Sequence, residues 1–369
     1  MIRKVICITG QMAQPRVLKR VNMLRDAGLE VVVVGYDRGI YTCNKLPEDI
    51  EVRYMGTQKD DSGYINKITQ GYRDVKSVVA EFNNEETVFY SFSIMTAVWF
   101  LLRRVKYFYE ISDIQYGYNK MRIIQPILKF LDRFLIKKSA LTVMTSLGFY
   151  RYFYGDKKVK NVIIQPNKVN SKLTRCKRCV VSPNMAHLRF SFVGSIRYFN
   201  TILRFAKVVG KYYPQHLFNF YGDSSFVDAF KAECREYPNV IFHGSFKNPG
   251  DLEEIYSNTD VVIACYENEN LNERIAEPNK MYEAMLFCKP IVVSQNTFLA
   301  TQIESYKCGY VINAYSDADI RSFIDNLNEQ KMIEISKHEL CIPEIELKDS
   351  PRAISDFILS MECIVPCIN

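Results

Sequence analysis

Short β-branched runs alternate with helix-length amphipathic segments along nearly the whole chain, and the alternation starts over midway. Strands are expected over residues 4–9, 30–35, 52–56, 87–90, 106–110 and 141–145, with 161–165 to follow. Helical stretches such as 15–27, 65–82 and 120–138 fall between them. This βαβα order implies a parallel sheet covered on both faces. Pro15 suits a first helical position, and Ala27-Gly28 is a good helix stop. Beyond Gln165-Pro166-Asn167 a polar, basic stretch runs through Pro183-Asn184 without a clear period, as an interdomain linker and surface loop would. A fresh series begins at 189–194 and continues over 217–221, 240–243, 260–264, 290–294 and 309–312. The expected fold class is α/β, with two doubly wound Rossmann-like domains over 1–166 and 167–349. A last amphipathic helix, expected within 350–363, carries Ile354, Phe357, Ile358 and Met361 on one face. Its pattern leaves open which domain it covers.

At 369 residues the chain exceeds one comfortable core, which agrees with two domains. No apolar run reaches the roughly 18 residues that span a bilayer. The apolar run after Met1-Ile2-Arg3-Lys4 is too short for a signal-peptide core. A cytoplasmic protein is therefore expected. Eleven scattered cysteines fit reduced thiols, and the C-x-x-C at Cys176 and Cys179 has no second ligand pair for zinc, so no metal site is expected. Residues 1–165 hold 26 Lys/Arg against 16 Asp/Glu, whereas the remainder holds 22 against 25. A basic half suits an anionic partner (nucleic acid, a membrane surface or a diphosphate) and equally a solvated surface. No nucleic-acid-binding motif accompanies the charge, so no nucleic-acid partner is expected.

Ligands of open α/β sheets bind beyond the carboxyl ends of the strands, so the loops there carry the functional information. In the first half Thr9-Gly10-Gln11 offers one glycine, which suits a ligand or a tight turn equally, and no dinucleotide fingerprint. The second half offers three glycine turns at successive strand ends, at Gly194, at Gly222-Asp223 and at Gly244-Ser245-Phe246. Arg197, just past the first, stands where a guanidinium could hold phosphate oxygens. Together they point to a nucleotide site. The run Glu277-Pro278-Asn279-Lys280-Met281-Tyr282-Glu283 then opens a helix at its proline. Free N–H groups and Lys280 suit a diphosphate there, and Glu283 suits ribose hydroxyls. The competing reading is an ordinary i,i+3 surface pair.

These pieces resemble glycosyltransferase family 4. The matching segments are the Gly194 and Gly222 turns, the strand ending at Gly244, Asp251–Tyr256, Asp260-Val261-Val262-Ile263, and Pro278 through Met285 followed by Lys289-Pro290-Ile291-Val292. Asn167 after Gln165-Pro166 resembles the entry into the family's second domain. The resemblance implies a GT-B fold with a cleft between two Rossmann-like domains, and retaining transfer from a nucleotide-sugar, with uridine the usual nucleoside. It assigns Arg197 and Lys280 to the donor diphosphate, Glu283 to the ribose, and Glu277 to Asn279 to the phosphates and donor sugar. Gly244 to Phe246 would border the base. No cofactor or metal is then required, because two cations stabilise the departing diphosphate.

Two positions depart from the family pattern. Ile275 stands where a first glutamate is usual, with Glu273 and Glu277 out of register. Ser112 precedes Asp113 where a histidine is common, and all four histidines lie in the second half. Asp113 suits either an acceptor hydroxyl or a helix cap. The resemblance implies a saccharide or polyprenyl-diphosphate-linked acceptor in bacterial capsule or O-antigen synthesis. The segment 120–138 mixes a broad apolar face with Lys120, Arg122, Lys129, Arg133, Lys137 and Lys138. It suits a helix lying on an anionic membrane, or one packed on the sheet with a basic outer edge. The alternatives to a transferase are a sugar-nucleotide 2-epimerase-like enzyme and a non-catalytic binding subunit of a polysaccharide assembly complex.

Overall fold

The computed structural model describes residues 2–10, 12, 14–37, 46–57, 64–171, 173, 177–350, 352, 354 and 356–358. The chain divides into two units, one reaching Pro166 and taking up the segment from Ser350, the other Asn167–Asp349.

The first unit is built on a seven-stranded sheet of β1 (Lys4–Thr9), β2 (Glu30–Asp37), β3 (Glu51–Thr57), β4 (Thr87–Ser91), β5 (Tyr107–Ile111), β6 (Leu141–Met144) and β7 (Val162–Ile164). Its order is β3-β2-β1-β4-β5-β6-β7, all pairs parallel. The helices are α1 (Pro15–Asp26), α2 (Tyr64–Phe82), α3 (Ile94–Leu102), α4 (Gln125–Lys138) and α5 (Leu147–Tyr154). Strands β1 and β4 to β6 are buried along nearly their whole length, as double coverage demands. Ile354 and Ile358 sit in this core beside Val5, Val31 and Val88, with Phe357 packed against it. The terminal amphipathic face therefore serves the first unit, while Met361 lies outside the described residues.

The expected helix over 120–138 is broken. A short 3-10 turn at Asn119–Met121 precedes α4, which starts only at Gln125. Pro126 has no N–H to give and would clash with the carbonyl four residues back, so a helix can begin here but not run through. The outer face of α4 also differs from the basic edge expected of a packed helix. Leu135, Ile136 and Asp132 are buried inward, while Ile127 and Phe130 are 69% and 74% exposed and Ile123, just before the helix, 93%. Lys129, Arg133 and Lys138 lie along its flanks over the rings of Tyr152, Tyr154 and Phe134.

The second unit holds a six-stranded parallel sheet of β8 (Arg189–Val193), β9 (Leu217–Tyr221), β10 (Val240–Gly244), β11 (Val261–Ala264), β12 (Ile291–Ser294) and β13 (Gly309–Ile312), in the order β10-β9-β8-β11-β12-β13. Around it lie α6 (Arg204–Tyr212), α7 (Val227–Cys234), α8 (Leu252–Ser257), α9 (Leu271–Ile275), α10 (Asn279–Leu286), α11 (Phe298–Tyr306), α12 (Asp317–Asp325), α13 (Glu329–Cys341) and α14 (Glu344–Leu347). The order reverses between β8 and β11, where consecutive loops part to opposite sides and leave room for a ligand. The helix expected directly after the Gly194 turn is delayed. Residues 195–198 are irregular, and Phe199–Leu203 form one π-helical turn that runs into α6. Among the described residues no helix is long and apolar enough to cross a membrane.

Candidate functional site

The carboxyl ends of β8, β9 and β10 interlock through their glycines. The Gly194 N–H donates to the Tyr221 carbonyl at 2.7 Å, and the Gly222 N–H donates to the Gly244 carbonyl at 2.8 Å. Gly222, at φ +138°, presses so closely on Gly194 that a Cβ there would sit 1.9 Å from the Gly194 carbonyl oxygen. No side chain fits that contact or readily adopts that backbone. Beyond the turns, Asp223 is exposed and accepts from the Ser245 hydroxyl at 3.3 Å. Phe246 is half-buried against the core.

Helix α10 delivers its side chains beneath these turns. Pro278 stands at its N-cap in an extended conformation, which turns the chain into the helix. Lys280 is only 8% exposed, and its Nζ lies 2.6 Å from where a Cβ on Gly194 would be. The amine is 4.9 Å from the centroid of Phe192 and 5.5 Å from that of Tyr266. Among the described residues Lys280 forms no ion pair. A cation withdrawn from water without a carboxylate is costly unless an anion arrives to meet it.

Glu283, one helical turn on, is buried. Its Oε2 accepts from the Tyr256 hydroxyl at 2.8 Å, and its Oε1 from Asn279 Nδ2 at 2.9 Å and Asn248 Nδ2 at 3.3 Å. Lys280 and Glu283 are thus buried and are not a surface pair. The buried carboxylate of Glu277 accepts from Tyr282, whose ring carries Lys168 on its face at 5.5 Å. Glu273 is buried on α9, so two buried carboxylates flank the half-buried Ile275.

Arg197 is exposed on the irregular loop after Gly194, with its guanidinium 4.9 Å from the Tyr198 ring centre. Tyr198 stacks on Tyr266 at 4.8 Å and 27°. Neither tyrosine is among the expected site residues. Tyr198 is the residue next to Arg197 in the sequence, and Tyr266 follows β11 by two residues. The strand-end rule reaches both, but only the fold pairs them.

In the first unit Gly10 is exposed directly after β1. Asp113 is exposed in the bend after β5, 3.5 Å from Arg16 Nη1. Behind it lies a network that the sequence reading missed. Glu110 is buried and accepts from Arg20 Nε at 2.9 Å and from the Tyr90 hydroxyl at 2.5 Å. Its other oxygen faces Arg16 Nε at 3.9 Å, too far for a hydrogen bond. Charges therefore alternate from buried Arg20 through Glu110 and Arg16 to exposed Asp113. Asp132, on the inward face of α4, is buried, accepts from Tyr109 at 2.6 Å, and is pushed up to about 6 by burial, against the lowering effect of hydrogen bonds from Tyr109 and Tyr116. Among the described residues no three His, Cys, Asp or Glu side chains are grouped to hold a metal. Cys179 is a free, exposed thiol, and Cys176 lies outside the described residues.

Residues 189–339 match the family model "Glycosyl transferases group 1". The matched stretch runs from β8 through α13 and holds Arg197, Lys280 and Glu283, which supports a glycosyltransferase domain. No curated protein matches the chain significantly. Among solved structures, HepE of Anabaena in complex with UDP and glucose is similar at 14% identity and a TM-score of 0.68, over 98% of this chain and 99% of that one. A sucrose-phosphate synthase from Thermosynechococcus elongatus is similar at 12% identity and 0.72, over 98% of each chain. WaaG, a glycosyltransferase involved in lipopolysaccharide biosynthesis, is similar at 13% identity and 0.65, over 96% of this chain and 99% of that one. Likeness at these identities is one of fold, and the fold is GT-B.

Proposed function

We propose that this chain is a retaining, family 4 glycosyltransferase that takes a hexose or N-acetylhexosamine from a UDP-linked donor. The observation that carries the reading is Lys280, a buried cation that forms no ion pair among the described residues, held under the glycine turns at the switch point of the second sheet. Arg197 and Lys280 take the donor diphosphate. As the glycosidic bond breaks, negative charge grows on the departing phosphate, and preorganised cations stabilise it without a metal ion. The leaving oxygen accepts the acceptor's proton on the same face, so no protein nucleophile is needed. Uridine is preferred because HepE, similar in fold, is described with UDP. Calorimetric titration with UDP and GDP, with and without a chelator, tests this: UDP binding that survives chelation is expected. Binding of neither nucleotide would sink the reading in favour of a non-catalytic subunit.

The acceptor in this reading is a saccharide, free or carried on a polyprenyl diphosphate, used in bacterial surface polysaccharide synthesis. Support comes from the outer side of α4, where Ile123, Ile127 and Phe130 form an exposed apolar strip flanked by cations. Such a strip suits the surface of an anionic membrane, with the rings and aliphatic chains entering the headgroup layer. Co-sedimentation with phosphatidylglycerol vesicles should be lost in Ile123→Asp/Phe130→Asp and should be weak with pure phosphatidylcholine. Equal sedimentation of the wild type and the double variant would remove the membrane from the proposal.

A further inference from the structure

The loops leaving β8 and β11, neighbours across the switch point, are fastened together. The Asn200 N–H donates to Glu267 Oε1 at 2.9 Å, and Tyr198 stacks on Tyr266 at 4.8 Å. The stacked pair also seats both candidate phosphate-binding cations. Arg197 lies over the Tyr198 ring at 4.9 Å, and Lys280 over the Tyr266 ring at 5.5 Å, with Phe192 on another side at 4.9 Å. Tyr198 takes a left-handed backbone at φ +79°, which a non-glycine residue holds only where its surroundings enforce it.

Aromatic seating has a specific consequence. A ring face attracts a cation through its quadrupole, so the side chain is held without a formal countercharge. A carboxylate in the same place would fix Lys280 equally well but would repel an incoming phosphate and occupy its donors. We propose that Tyr198 and Tyr266 are positioning residues for the diphosphate of the donor, one stacked unit that sets Arg197 and Lys280 and leaves the charge of Lys280 for the ligand. This rests on the donor-site reading above and assigns the pair no contact with the reacting atoms.

The test separates the diphosphate from the nucleoside. Wild type and the variants Tyr198→Leu, Tyr266→Leu, Tyr198→Phe and Tyr266→Phe are titrated with UDP, inorganic pyrophosphate and uridine, and melted in parallel. Each Leu variant should bind UDP and pyrophosphate about tenfold more weakly, with uridine affinity unchanged, while the Phe variants stay within about twofold. Leu variants that bind UDP as tightly as wild type overturn the inference, as do parallel losses for uridine and pyrophosphate. Should the Leu variants fail to fold, fluorinated phenylalanines at 198 and 266 keep the shape and weaken the quadrupole. Affinity for UDP should then fall stepwise with fluorination, and a flat series would refute the seat. A wild type that binds neither UDP nor pyrophosphate removes the donor reading itself, and the inference with it. UDP binding that is indifferent to every variant removes the inference alone.

Discussion

The carboxyl ends of the two sheets treat their cations in opposite ways. In the first unit Arg20 and Arg16 face Glu110 and Asp113 in alternation, so the charge is neutralised within the protein. In the second, Lys280 rests on the faces of Phe192 and Tyr266 and forms no ion pair among the described residues. Uncompensated charge at a strand end marks where an anion is expected, and a matched ladder marks a place suited to neutral hydroxyls. The net charges of the two halves point the other way, since the basic half is the first. Net charge counts residues wherever they lie, whereas a site depends on which charges the fold leaves unmatched.

The sharpest way to break this comparison is to remove one charge from each end. Glu110→Ala strands Arg20 in the core, and urea unfolding should show a loss of about 3–5 kcal/mol, with UDP affinity in the second unit unchanged. Lys280→Met should do the reverse. An apolar side chain of similar length relieves a buried charge, so the melting temperature should hold or rise, while UDP affinity falls about 30-fold, roughly 2 kcal/mol. If Lys280→Met destabilises the protein as Glu110→Ala does, the lysine is structural and the contrast fails.

Asp132 sharpens the comparison from within the first unit, since hydroxyls face it where a guanidinium faces Glu110. Its carboxyl is raised by burial to about 6 from an unfolded value near 4. The folded state therefore binds the proton more tightly, and stability should fall as pH rises from about 4 to about 6, by about 2 kcal/mol in all. Denaturant titrations across that window should show the slope in wild type and not in Asp132→Asn. The smallest effect is expected at Glu283. Glu283→Ala leaves the Tyr256 hydroxyl and two amides without their acceptor, so it should cost about 1–2 kcal/mol of stability beyond any loss of UDP binding. Thermal melts without ligand isolate that part.

Much of the architecture is legible in the sequence because a doubly wound fold repeats one local pattern. The strand runs of both halves, the glycine turns and the proline-led α10 follow from side-chain period and backbone freedom, which neighbouring residues settle. Pro126 is equally visible, yet the apolar period continues across it, and period alone extends the 120–138 helix through the break. Spacing showed that Lys280 and Glu283 are close on one helix, but it could not tell a solvated pair from two buried groups with separate partners.

What the sequence determined by itself was therefore most of the strands, their parallel pairing and the strand-end turns that carry the candidate site. Burial and pairing came only with the tertiary structure. Lys280 gains its meaning from Phe192 on β8 and Tyr266 after β11, and Glu277 is drawn onto Tyr282 and Glu283 onto Tyr256. Arg20 meets Glu110 only because the fold brings side chains 90 residues apart in the chain within hydrogen-bond reach. Period and propensity act over a few neighbouring residues, whereas the energy of a buried charge depends on whatever distant side chain the fold places beside it.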